Sequence, residues 1–333
     1  MSESNKRNFI VHGSILAIAG ILVRIIGMLY RIPVVNIIGS EGNGIYGAAF
    51  NIYNIMLVLS SYGLPMAVSK LVSARFTKRR YKSAAKVLRC SLMVAVCTGG
   101  IAALLVFFGA SFIENVIYGG GLPGLAIPLR ILAPTIFLVA ILGVIRGFFQ
   151  GQSTMIPTAV SQILEQIVNA IVSIAAGYGM MKAFASSPDV AAYGAAGSTL
   201  GTAMGALTAV LFMGFLYAVY TPTFNRLKRK DRHTENQSTG QICKIIIYTM
   251  IPIILGQTFY QISALIDDVM FSNIMVGRDI TKSISMDLGN FSSSYSLLIG
   301  IPQGVASAMS ASMLPSVVAS LSLIHISEPT RRS

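Results

Sequence analysis

Residues Tyr46–Phe108 read YGAAFNIYNIMLVLSSYGLPMAVSKLVSARFTKRRYKSAAKVLRCSLMVAVCTGGIAALLVFF: an apolar run, a connection crowded with cations, and a second apolar run. As a helix, each run is long enough to cross the roughly 30 Å of a bilayer's hydrocarbon. The connection holds Lys70, Arg75, Lys78, Arg79, Arg80, Lys82, Lys86 and Arg89 with no acid among them. Cations gathered in a short loop between spans mark the cytoplasmic side of a membrane.

The same alternation continues on both sides. Candidate spans cover roughly Phe9–Tyr30, Tyr46–Val68, Val87–Phe108, Ile127–Phe149, Pro157–Met181, Gly194–Val219, Ile245–Met270 and Phe291–Ser316, about eight in all. A second basic connection, with Arg226, Lys228, Arg229, Lys230, Arg232 and Lys244, falls an even number of spans after the first, and Lys6 and Arg7 precede the first span. By contrast, Ile32–Ile45 carries only Glu41 and Ser111–Ala126 only Glu114. The expected topology is a multi-pass cell-membrane protein with a cytoplasmic amino terminus. The composition, 54% hydrophobic against 11% charged, excludes an ordinary soluble domain. Although the formal net charge is +13, the cations sit in gaps between spans, so anionic membrane lipids rather than nucleic acid are the expected partners.

No catalytic set stands out. His12, His233 and His325 are scattered, and Cys90, Cys97 and Cys243 have neither metal-ligand nor disulfide-framework spacing. The glycine-dense run GSEGNGIYG (Gly39–Gly47) lacks the Lys and following Ser or Thr of a phosphate loop and reads as a tight outward turn. No metal or cofactor is expected, and a transporter built this way would run on a proton or sodium gradient or on the membrane potential. Pro65, Pro134, Pro157, Pro252 and Pro302 interrupt apolar runs, which predicts kinked helices. Gly194, Ala195, Ala196, Gly197, Gly201 and Gly205 predict a smooth, closely packed face on the sixth span.

Charges inside the spans point to function. Arg24 lies mid-span in the first helix, and Arg31 follows seven residues later on nearly the same face. In hydrocarbon Arg24 would cost several kcal/mol, so it is expected to face a hydrated interior or a partner acid, whereas Arg31, near the outer end of the helix, either extends the same positive wall or snorkels to the headgroups. A second polar set occupies residues 145–170, IRGFFQGQSTMIPTAVSQILEQIVNA: Arg146 and Gln150 are four apart, and Gln162, Glu165, Gln166 and Asn169 recur at helical steps. Glu165 is expected to pair with Arg24 or Arg146. Asp267 and Asp268 in the seventh span are candidates for ion coupling, as is Glu165.

The run GSEGNGIYGAAFNIYNIMLVLSSYGLPMAVSKLVSAR (Gly39–Arg75), together with residues 145–170, resembles the polysaccharide transporter and lipid flippase branch of the multidrug/oligosaccharidyl-lipid/polysaccharide (MOP) exporter superfamily. Within it, the chain is similar to the stage V sporulation protein B-like lipid II flippases. The resemblance implies an all-α, MATE-like membrane fold of two six-helix lobes around a cavity. It also implies export of a polyprenyl-diphosphate-linked saccharide in cell-wall, spore-cortex or polysaccharide synthesis, alongside the proteins of that synthesis. It assigns the diphosphate to Arg24 and Arg31, with Arg146, Gln150, Gln162, Glu165 and Asn169 as further substrate-binding candidates. A cation-coupled multidrug exporter and a non-transporting envelope scaffold are the alternatives.

A loose internal echo, Tyr53 followed by NIMLVLSSYGLPMAVS and Tyr295 followed by SLLIGIPQGVASAMS, is consistent with a repeated unit. It divides the chain into a first lobe at 1–225, a basic connector at 226–244 and the start of a second lobe at 245–320. Residues 321–333 begin LSLIHISEPTR, which resembles a translated sequencing adapter, so the natural protein is expected to be longer.

Overall fold

Seven long helices are described in the computed structural model, which covers residues 3–232, 237–278 and 284–291, with side chains from Ile18 onward except at residue 260. They are α1 (Glu3–Ser60), α2 (Leu64–Thr77), α3 (Tyr81–Phe112), α4 (Ala126–Gly151), α5 (Ile156–Ala183), α6 (Val190–Lys230) and α7 (Thr239–Gly277). One π-type turn, Ile113–Ile117, extends α3, and residues 284–291 are also helical. No strand occurs among the described residues. The chain is an all-α, multi-pass membrane protein. Of the spans read from the sequence, Phe291–Ser316 lies outside the described residues apart from Phe291, as do Pro302 and the tail from 321.

The glycine-dense run is not a loop. Helix continues through it, and the chain changes direction at Gly39 alone, where φ is 68° and ψ 179°. That region of backbone space is essentially restricted to glycine. The expected turn is therefore a one-residue kink joining the first two spans inside α1. Proline also acts differently from the expectation at two places: Pro65 and Pro157 sit in the first turns of α2 and α5, where a missing N–H costs nothing. Pro134 and Pro252 do lie inside helices, as do Pro33 and Pro222.

Two helix starts are fixed by side chains, one from the preceding segment and one from the helix itself. The Glu114 carboxylate accepts from the backbone N–H groups of Gly124 (3.0 Å) and Ala126 (2.7 Å), closing the start of α4. Helix α7 begins six residues before the apolar run does, at a capping box in which Ser238 Oγ accepts from the Gln241 N–H and Gln241 Oε1 accepts from the Ser238 N–H. Both basic connections meet at one end of the bundle. Buried Asp231 accepts from the Lys82 N–H at 2.8 Å, and Arg75 donates to Gln237 Oε1 at 2.8 Å.

Two apolar cores fill the bundle. One lies towards the Gly39 end, around Tyr46, Leu122, Leu129, Leu132 and Ile136; the other lies at the basic end, around Leu64, Val87, Phe148, Met213 and Phe224. The small-residue face of α6 packs on α5 so closely that a Cβ on Gly201 would overlap Ser173 Oγ, and one on Gly205 would lie 2.6 Å from the Glu165 carbonyl oxygen. Outward-facing Phe108, Leu211, Phe215 and Phe259 belong in hydrocarbon, not water.

Candidate functional site

Helix α5 carries the polar face, and α4 supplies its partner. Arg146 Nη2 donates to Glu165 Oε2 at 2.7 Å, and Arg146 Nε donates to Ser161 Oγ at 2.9 Å. Ser161 in turn donates to the Thr158 carbonyl at 2.8 Å, which fixes its lone pairs toward the guanidinium. Of the two partners expected for Glu165, the structure selects Arg146. It is the one ion pair among the described residues. Gln150, one turn beyond Arg146, approaches Thr158 Oγ1 at 3.5 Å. Gln162 and Gln166 are half-buried on the same helix.

Helices α1 and α5 run side by side with a constant register. Asn169 Nδ2 donates to Tyr30 Oη at 3.3 Å, a sequence offset of 139. The same offset recurs where Gln166 Nε2 lies 3.2 Å from a Cβ placed on Gly27, and where Ile38 lies 3.8 Å from one placed on Gly177. This register sets Arg24 level with residue 163, between Gln162 and Glu165. Buried Asn169 completes its bonding through Ser173 Oγ at 2.9 Å, which also lies 2.8 Å from the Ser198 carbonyl on α6.

Arg24 is exposed. The exposed apolar residues of this helix, Ile18, Leu22, Leu29, Ile25 and Ile32, form one stripe. At about 100° of rotation per residue, that stripe is centred about 120° around the helix from Arg24. The guanidinium is therefore turned away from the face suited to lipid. Arg31, half-buried on the same side, lies over the Tyr46 ring with its guanidinium carbon 5.3 Å from the centroid. Sequence reasoning missed this contact because the Gly39 kink creates it by folding Tyr46 back beside Arg31.

Asp267 and Asp268 separate. Asp267 is exposed, whereas Asp268 accepts from Asn51 Nδ2 at 2.6 Å, tying α7 to α1. Among the described residues, no three His, Cys, Asp or Glu side chains converge on a metal position. Asn51, Tyr30 and Ser161 were not singled out from the sequence. Asn51 could have been, as an amide inside an apolar span, and Ser161 as the residue one turn before Glu165.

The family model described as "Polysaccharide biosynthesis protein" matches residues 10–320. The chain is 34% identical over 176 residues to "Lipid II flippase MurJ" of Bacillus subtilis (strain 168), covering 51% of this chain and 32% of that protein. It is 25% identical over 316 residues to "Stage V sporulation protein B" of the same organism, covering 94% of this chain and 58% of that one. The chain thus spans between about a third and three-fifths of the length of these relatives. Among solved structures, a multidrug resistance MATE family transporter of the MOP superfamily shares the fold, with TM-score 0.60, 15% identity and coverage of 89% of this chain and 60% of that one.

Proposed function

The chain belongs to the polysaccharide biosynthesis protein family, in the lipid flippase branch of the MOP superfamily, and from that premise we propose that it forms the first lobe, and the opening of the second, of a flippase for polyprenyl-diphosphate-linked saccharide. Lipid II or a polysaccharide precursor is the cargo, moved outward across the cell membrane from a cytoplasmic amino-terminal side. The observation that carries this reading is the polar cluster of Arg24, Arg146, Gln162 and Glu165, which the α1–α5 register and the Arg146–Glu165 pair bring to one level inside apolar helices.

The chemistry follows from what the cargo needs. A diphosphate requires concentrated positive charge and N–H donors in a shielded chamber, and a guanidinium can engage two oxygens at once. Arg24 has the exposure to receive it. Arg31, about two turns further along α1, is held on Tyr46 and offers a second station. Gln162 on α5 and Gln150 on α4, both half-buried, are the candidates for neutral polar parts of the headgroup, whereas Asn169 is buried and engaged by Tyr30 and Ser173. The polyprenyl tail stays in lipid through a gap between lobes. Asp268 is the candidate for proton or sodium coupling, since it bridges α1 to α7 and one of its oxygens already takes a hydrogen bond across that boundary. Anionic inner-leaflet lipids would meet the basic end.

Kinship with MATE structures makes a multidrug exporter the second reading, but with Arg24 and Arg31 on α1 and Arg146 on α4, arginines outnumber the single carboxylate Glu165 along these faces, an excess of positive charge that disfavours a cationic drug. The test is headgroup flipping in vesicles by the protein carried to the full length of its relatives. Arg24→Ala should abolish flipping without loss of folding, and undiminished flipping would remove Arg24 from the mechanism.

A further inference from the structure

Between Ile18 and Lys230 the chain has four acids, and Glu41, Glu114 and Asp189 all lie at or beyond helix junctions on the Gly39 end. Glu165 alone lies within a helix at the level that the α1–α5 register gives Arg24, and it pairs with Arg146. Its pair with Arg146 is not sealed: the side chains are 14% and 27% exposed, arginine and glutamate respectively. A carboxylate that served only as a strut would be expected to be enclosed and multiply bonded, because a buried ion pair needs its remaining lone pairs satisfied. Glu165 instead has a single hydrogen bond to Arg146 among the described residues. The Arg146 guanidinium spends two of its five N–H donors, one on Glu165 and one on Ser161.

Resting on the reading above, we infer that Glu165 is a specificity-determining residue: a resident anion that occupies Arg146 and must be displaced before a phosphorylated lipid can use it. A diphosphate brings two phosphoryl groups, one to reach Arg24 and one to compete for Arg146. A monophosphate headgroup, the kind that abundant membrane phospholipids carry, has one. It must either leave Arg146 to Glu165 or sit beside the carboxylate and be repelled. Discrimination thus comes from a built-in repulsive element as well as from attraction. The flippase would otherwise fill with the phospholipids that surround it.

The test compares binding of farnesyl diphosphate and farnesyl monophosphate to the full-length detergent-solubilised protein by calorimetry, with melting temperature recorded for each variant. Glu165→Gln keeps volume and removes charge. It should tighten the monophosphate by about tenfold more than the diphosphate, collapsing the selectivity. Glu165→Asp, which keeps the charge, should keep it. In an Arg146→Gln background the Glu165→Gln change should have no effect on selectivity. Unchanged selectivity in a folded Glu165→Gln protein, an effect that persists without Arg146, or unfolding of the Gln variant would each overturn the inference, the last by showing Glu165 to be a strut. Diphosphate binding that survives Arg24→Ala would count instead against the proposed cargo site and leaves the selectivity comparison standing. Absence of diphosphate binding in every variant overturns both.

Discussion

Asp268 of α7 accepts a 2.6 Å hydrogen bond from Asn51 of α1, a residue 217 positions earlier in the sequence, and so joins the two helices. The amide donates to one carboxylate oxygen and carries no charge of its own, so it ties α7 to α1 without forming an ion pair. Replacing Asn51 by Leu leaves a partly enclosed carboxylate without its donor. The expected cost is about 1–3 kcal/mol of stability, read as a lower melting temperature in detergent. Asn51→Asp should be worse than Leu, because it sets two acids against each other.

Gly39 gives a second prediction, with a different cause. No atom lies within 4 Å of a Cβ built there, so Gly39→Ala meets no clash. Its φ of 68° with ψ of 179° is strained for any side chain, at about 1–3 kcal/mol. The variant should melt earlier and loosen Tyr46 from Arg31, because the kink is what brings those residues together. Tyr46 fluorescence in a background stripped of neighbouring tyrosines would report the loosening. Gly39→Asn should bring no relief over Ala, since the tolerance of Asn for positive φ is confined to the left-handed helical region, far from a ψ of 179°.

Loss of the Glu114 carboxylate should unravel the start of α4. Glu114→Ala frees the N–H groups of Gly124 and Ala126, at an expected cost of about 0.5–2 kcal/mol by analogy with a lost helix cap. Hydrogen exchange should rise at residues 124–127 and remain unchanged at the basic end. Glu114→Gln, which keeps one acceptor, should fall between.

Arg31→Lys keeps the charge but gives up the flat guanidinium that lies over Tyr46. Tyr46→Leu removes the ring instead. If the contact positions Arg31 for cargo, both changes should reduce flipping by a similar factor, of about three- to tenfold on a cation–π contribution of about 0.5–1 kcal/mol plus lost orientation. The double variant should then be no worse than either single change.

Much of this fold was legible because a bilayer imposes simple rules. Apolar length and loop charge located most of the spans, though they ran Tyr46–Val68 straight through the turn at residues 61–63 that separates α1 from α2, and the small residues of the sixth span announced its tight packing on α5. What could not be read were the events that depend on one residue's backbone or on a partner far along the chain. Gly39 looked like part of a loop because dense glycine normally marks one, yet a single φ/ψ change turns the chain while helix persists on both sides. The start of α7 lay hidden because its capping residues are polar and precede the apolar run. In the polar face, helical spacing grouped Gln162, Glu165 and Asn169 correctly on α5, but it could not choose between Arg24 and Arg146 as partner of Glu165. That choice depends on how α1, α4 and α5 pack. The Tyr30 to Asn169 register, which brings Arg24 level with Glu165, likewise exists only once α1 lies against α5.

The proposed role of Arg24 requires its guanidinium to look into water shared with the cargo and not into acyl chains. It is tested most directly by placing a cysteine at position 24, in a full-length background lacking Cys90, Cys97 and Cys243, and treating membrane vesicles with a charged, water-soluble thiol reagent. Rapid modification that is slowed by added polyprenyl diphosphate is the predicted result. A thiol that reacts only with lipid-soluble reagents, or at a rate indifferent to the diphosphate, would contradict the account.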